Sequence, residues 1–72
     1  MVTLRFKLYE VGTIDLSIDQ ATDLKTVLEM CSEKSSTAFG SVIAIRDGKV
    51  LSPQELVHGD DVIDIFPAIS GG

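Results

Sequence analysis

Thr22-Asp23-Leu24-Lys25-Thr26-Val27-Leu28-Glu29-Met30-Cys31-Ser32-Glu33-Lys34 is where the apolar period of this chain changes. Leu24, Val27, Leu28 and Cys31 fall at i, i+3, i+4 and i+7, one stripe of an amphipathic helix. Thr22 or Asp23 is placed to cap the first turn, and Lys25, Glu29, Ser32 and Glu33 to face water. The polar run Ser35-Ser36-Thr37 ends the helix near Lys34. On either side the chain alternates or breaks at turn residues, so this is one helix among strands.

Upstream, Val2, Leu4, Phe6 and Leu8 alternate with Thr3, Arg5 and Lys7, which predicts a half-buried strand. Tyr9-Glu10-Val11-Gly12 reads as a turn into a second strand carrying Ile14, Leu16 and Ile18. Downstream, Phe39 is placed to dock the loop that Gly40 ends. Val42-Ile43-Ala44-Ile45 is a β-branched run suited to an inner strand. Asp47-Gly48 is a hairpin turn leading into Lys49-Val50-Leu51. Ser52-Pro53-Gln54-Glu55 has the form of a capping box and predicts a brief helical turn, with Leu56 and Val57 beneath it. His58-Gly59-Asp60 turns the chain into a last strand over 61–66, which Pro67 should end. The order β-β-α-β-β-β in one short chain is an α+β architecture. It resembles the ubiquitin-like β-grasp fold. That likeness implies a mixed sheet of about five strands, the helix on one face, a domain over 1–66 and a projecting tail over 67–72.

Seventy-two residues allow one domain and one modest core. A single cysteine excludes an intrachain disulfide. With one histidine beside it, an ordinary structural zinc site is excluded too. Stability must come from packing, and a reduced, cytoplasmic setting fits. A net charge of −5 argues against nucleic acid as partner. No apolar run approaches the length of a membrane span, and no signal peptide is visible at the start.

Catalytic constellations are missing, so no enzyme is expected. His58 is single and sits in a turn, which leaves no nucleophile-base pair to build. Cys31 lies on the apolar helix stripe and reads as core. Asp60, Asp61 and Asp64 form an acidic group of the kind usually solvated, so no metal site is expected. Gly40, Gly48 and Gly59 are isolated turn glycines, not a phosphate loop.

Two surfaces remain. Taking Asp64 and Arg46 as facing water places Val62, Phe66, Val42 and Ala44 on the outer sheet face. Arg5, Lys7 and Arg46 then form its rim. An apolar centre with a charged rim is the anatomy of a partner site. Small proteins also expose apolar atoms routinely, and Phe66 could instead fold back on the core edge. The other surface is the tail Pro67-Ala68-Ile69-Ser70-Gly71-Gly72. Extended, its six residues reach at most roughly 20 Å. Glycines have no Cβ, so Gly71 and Gly72 fit a channel too narrow for other residues. A small-residue terminus can equally be a frayed end without a role.

Gly59-Asp60-Asp61-Val62-Ile63-Asp64-Ile65-Phe66-Pro67-Ala68-Ile69-Ser70-Gly71-Gly72 is similar to the end of the sulfur carrier family. That family includes the small subunit of molybdopterin synthase (MoaD) and the thiamine-pathway carrier (ThiS). Both share a Gly-Asp turn, an apolar strand and a terminal Gly-Gly. Phe66-Pro67 leans toward the molybdopterin type and the short length toward the thiamine type. Arg46-Asp47-Gly48-Lys49 departs from the Asn-containing turn of either. The resemblance implies that a ubiquitin-activating-type adenylyltransferase joins the Gly72 carboxylate to AMP, and that a sulfur donor then makes a thiocarboxylate. Ile69, Ser70, Gly71 and Pro67 would pass through the partner's channel, and a synthase subunit would accept the sulfur. ATP, magnesium and any zinc would belong to the partner, and this chain would bind no cofactor. Two alternatives stay open: a ubiquitin-like protein modifier, and a β-grasp interaction module with an unused tail.

Overall fold

Alternation builds the sheet. In the computed structural model, which describes residues 1–68, β1 (Val2–Phe6) buries Val2, Leu4 and Phe6 and turns Thr3 and Arg5 away. β2 (Thr13–Leu16) pairs antiparallel with it, Leu4 opposite Ile14. The first strand was expected to run to Leu8, but it stops at Phe6. The Phe6 N–H donates to Gly12 O at 2.8 Å and closes the loop early. Leu8 takes a φ of +67° and is 84% exposed. Tyr9 fills the apolar place instead, packed edge-on against Phe6 and Phe39 with ring centroids at 5.5 and 5.6 Å.

β3 (Thr22–Asp23) leads directly into α1 (Leu24–Ser35). Asp23 is the N-cap, its carboxylate accepting from the Thr26 N–H and hydroxyl at 2.9 Å. That bonding holds the Asp23 carboxyl below its ordinary range. Leu24, Val27 and Cys31 are buried, and Leu28 packs against the core from its edge. Phe39 docks the following loop, its ring stacked on Phe6 at 4.4 Å.

β4 (Val42–Arg46) and β5 (Lys49–Leu51) form the expected hairpin, with Asp47 and Gly48 both at positive φ. Ser52–Glu55, expected as a brief helical turn, is a single hydrogen-bonded turn and forms no helix. The Ser52 N–H still reaches Glu55 Oε1 at 3.4 Å, and the Glu55 N–H donates to Ser52 O at 3.1 Å. The carbonyls of Pro53 and Glu55 accept from the N–H groups of Lys25 and Leu24. They cap the start of α1, where helical N–H groups have no partner of their own. β6 (Leu56–Val57) then pairs with β3, a two-stranded sheet that periodicity did not reveal.

β7 (Val62–Pro67) lies in the middle of the main sheet, whose order is β2-β1-β7-β4-β5. It runs parallel to β1 and antiparallel to β4. Ile63 and Ile65 are fully buried and join Leu4, Val2, Val27, Val57 and Cys31 in one core beneath α1. This is the expected α+β β-grasp, one main helix on one face of a five-stranded mixed sheet.

Candidate functional site

The sheet face away from α1 is set by register. Ile43 stands opposite Phe66, Ile45 opposite Asp64, and Ile45 again opposite Val50. Thr3 stands beside Val62 and Arg5 beside Asp64. Directly paired residues point to the same side of a sheet. The outer face therefore carries Ile43, Ile45, Val50, Val62 and Phe66 around Arg5 and Asp64. Val62 is 47% and Ile43 40% exposed, high for apolar residues at mid-sheet.

Four of the expected face residues stand where the alternation of β1 and β7 put them: Val62, Phe66, Arg5 and Lys7. Arg5 grips Asp64 with two bonds, Nε to Oδ1 at 2.6 Å and Nη2 to Oδ2 at 3.2 Å. Lys7 is exposed just past β1, and its N–H donates to Ile65 O at 2.8 Å, so it stays beside β7.

Val42, Ala44 and Arg46 do not belong to this face. Ala44 is 2% exposed, opposite the buried Ile65. Val42 packs against the core from the same side. Arg46 was expected to face water and fixed the parity of its strand. It lies on the inner side instead, where polar partners wait. Its Nη1 donates to Asp61 Oδ2 and to Leu56 O, each at 2.8 Å, with Glu55 Oε2 3.9 Å from Nη2. An all-apolar strand has no other marker of parity, so one misplaced arginine inverts it. Ile43, Ile45 and Val50 were missed for that reason. The signal that could have found them is cross-strand: placing the small Ala44, not an isoleucine, against Ile65.

Asp61 serves this inner corner. Partial burial pushes its carboxyl up, but the His58 N–H at 2.9 Å and the Arg46 guanidinium outweigh it, and the group is held below its ordinary range. Asp60 lies 3.8 Å from the N-terminal ammonium, and Asp64 is taken by Arg5. Among the described residues no group of acidic, His or Cys side chains forms a metal site. None of their helices is long and apolar enough to cross a membrane.

The strand was expected to end at Phe66 because proline cannot donate to a ladder. It runs on to Pro67, opposite Val42. The next residue explains this: the Ala68 N–H donates to Ser41 O at 3.1 Å. Antiparallel pairs alternate between bonded and non-bonded positions. Pro67 occupies a non-bonded one, where no N–H toward β4 is needed. The expected tail residues Ile69, Ser70, Gly71 and Gly72 lie outside the described residues.

With the sheet order and this strand end in place, the comparison with known families is direct. The ThiS family profile matches residues 7–72. The chain belongs to the ThiS family. Its members are small sulfur carriers of thiamine- and molybdopterin-type biosynthesis, not catalysts, and they work with partner enzymes in sulfur transfer. No curated protein matches the chain.

Proposed function

We propose that this ThiS-family carrier is loaded at the carboxylate of Gly72. The observation that supports the reading most is the sequence Ile69-Ser70-Gly71-Gly72 following a strand paired on both sides. A strand held by β1 and β4 is a stiff base from which to deliver a short segment. Pro67 and Ala68 are tied against β4, so the delivered segment is the four residues after Ala68. Its reach is at most about 14 Å.

A carboxylate is a poor acyl donor. Attack of its oxygen on the α-phosphorus of ATP, with pyrophosphate leaving, makes an acyl adenylate. Hydrosulfide then attacks the acyl carbon, AMP leaves with the bonding pair, and a thiocarboxylate remains. That sulfur is a strong nucleophile for a biosynthetic acceptor. The adenylyltransferase partner, of ubiquitin-activating type, supplies ATP and magnesium chemistry, and this chain binds no cofactor. Gly71 and Gly72 suit the partner's narrow channel, with Ser70 and Ile69 behind them. The docking face is Phe66, Val62, Arg5 and Lys7 together with Ile43, Ile45 and Val50. The chain is a substrate that is charged and discharged in the cytoplasm.

Deleting Gly72 is expected to abolish charging and leave the melting temperature unchanged. Intact mass after incubation with cell extract, ATP and sulfide reads it: full-length protein gains one sulfur in place of one oxygen at Gly72, and the deletion variant does not. Charging of the deletion variant would overturn the proposal. A ladder of heavier conjugates would replace it with a protein modifier.

A further inference from the structure

Among the described residues, positive φ angles occur at Leu8, Gly12, Ser36, Gly40, Asp47 and Gly48. Glycine has no Cβ to clash there, and Ser36 and Asp47 are short polar residues at a helix end and in a hairpin turn. Leu8 is different. It carries a large branched side chain at φ +67°, an outlier for a residue of that bulk. The side chain gains no cover in exchange. Among the described residues it is the most exposed large hydrophobic, ahead of Met1 and Val50. A lone exposed leucine is ordinary. One held in a costly backbone conformation is not, because such strain persists only where the surroundings impose it.

Those surroundings flank Leu8 on both sides. Before it, the Lys7 N–H donates to Ile65 O at 2.8 Å and ties the chain to β7. After it, the Tyr9 ring is packed edge-on against Phe6 and Phe39. Between two anchored neighbours, the Leu8 side chain stands out as a fixed apolar knob. Its place in the sheet is also set. β1 and β7 run parallel with Phe6 opposite Ile65, so both leave the sheet at one end. Leu8 lies at most about 7 Å beyond Phe6, and Ala68 about 10 Å beyond Ile65. Four residues follow Ala68, a reach of at most about 14 Å. A partner that acts on Gly72 must therefore close on this end of the sheet, where Leu8 stands.

We propose that Leu8 is an anchor for the adenylyltransferase partner, its side chain entering an apolar pocket of that enzyme when the tail enters the channel. The anchor rests on the carrier reading and adds to it a contact outside the sheet face.

The test is the initial rate of charging, read by intact mass, as the concentration of the full-length carrier is varied in cell extract with ATP and sulfide. Leu8→Gly and Leu8→Asn both suit a positive φ and remove the apolar side chain. Each is expected to raise KM about tenfold or more and to leave kcat unchanged, as loss of an anchor far from the reacting carboxylate does. Leu8→Met keeps the apolar bulk and is expected to keep the parent KM. The urea midpoint of Leu8→Asn is expected at or above that of the parent, with the amide resonances of Ile65 and Ala68 in place. A parent-like KM in the Gly and Asn variants would overturn the anchor. So would a lower midpoint or displaced Ile65 and Ala68 resonances in Leu8→Asn, which would make Leu8 a support of the fold. If the parent is charged and the variants match it, only the anchor falls. If the parent takes no sulfur at Gly72, the carrier reading falls and the anchor with it.

Discussion

The two faces of this sheet are made of similar residue types and differ in what covers them. Ile63 and Ile65 on the helix side are fully buried, while Ile43, one strand away on the other side, is 40% exposed. Each face also holds one arginine. Arg46 on the inner side is bound by Asp61 and Leu56, and Arg5 on the outer side is held, among the described residues, by Asp64 alone. Residue type does not decide which apolar or basic side chain is buried in the fold and which stays exposed on the open face. Register and covering layer do.

The comparison is broken most directly by making one change on both faces. Ile63→Ala is expected to cost about 2–5 kcal/mol, because it leaves a cavity in a closed core. Ile43→Ala is expected to cost less than about 1 kcal/mol, because the removed atoms were already partly wet. Urea unfolding checks both, and equal losses would erase the distinction between the faces.

A charged substitution sharpens it from the other side. Ile43→Asp is expected to leave the urea midpoint near that of the parent and to raise the KM for charging by about tenfold or more, as loss of a central apolar contact does. An unchanged KM would remove Ile43 from the docking face.

The arginines give a smaller contrast. Arg46→Ala is expected to cost about 1–3 kcal/mol, since the half-buried Asp61 and the Leu56 carbonyl lose their donor. Arg5→Ala should fall below about 1 kcal/mol, the range of an exposed pair. A double-mutant cycle with Asp61 and Asp64 measures each coupling.

The smallest effect is in the pH dependence. The Asp61 carboxyl is held below its ordinary range when folded, so it contributes stability above that range and loses it as pH falls through the folded value. Asp23 acts in the same direction through its cap. Unfolding midpoints measured between neutral and strongly acid pH should decline below the usual carboxylate range. The decline should be shallower in Arg46→Ala, and identical slopes would show that Arg46 does not set the Asp61 charge.

Much of this was legible from the residues. β1, α1 and the Asp47-Gly48 hairpin each carry a local signal: a clean alternation, a four-residue stripe with its cap, and a turn that demands positive φ. The losses came where the deciding partner is distant. Arg46 finds Asp61 fifteen positions on, and Pro53 and Glu55 find the start of α1 far back in the chain. Leu8 was lost to Tyr9, which is only one residue away but competes through Phe39. In the candidate site, β1 and β7 placed their residues correctly because Thr3, Arg5 and Asp64 mark parity. The apolar run of β4 carried no such mark.

Cys31 has one more consequence. It is the only thiol in the chain, has no exposed surface, and burial lifts its pKa from 9.0 to about 11. At neutral pH it is neither accessible nor ionised, so it makes a poor partner for oxidation or exchange. A sulfur loaded onto the terminus would face no rival within its own molecule. A thiol-directed alkylating reagent added briefly to folded protein would then tag the cargo in preference to Cys31, and the fraction tagged would follow the share of loaded molecules.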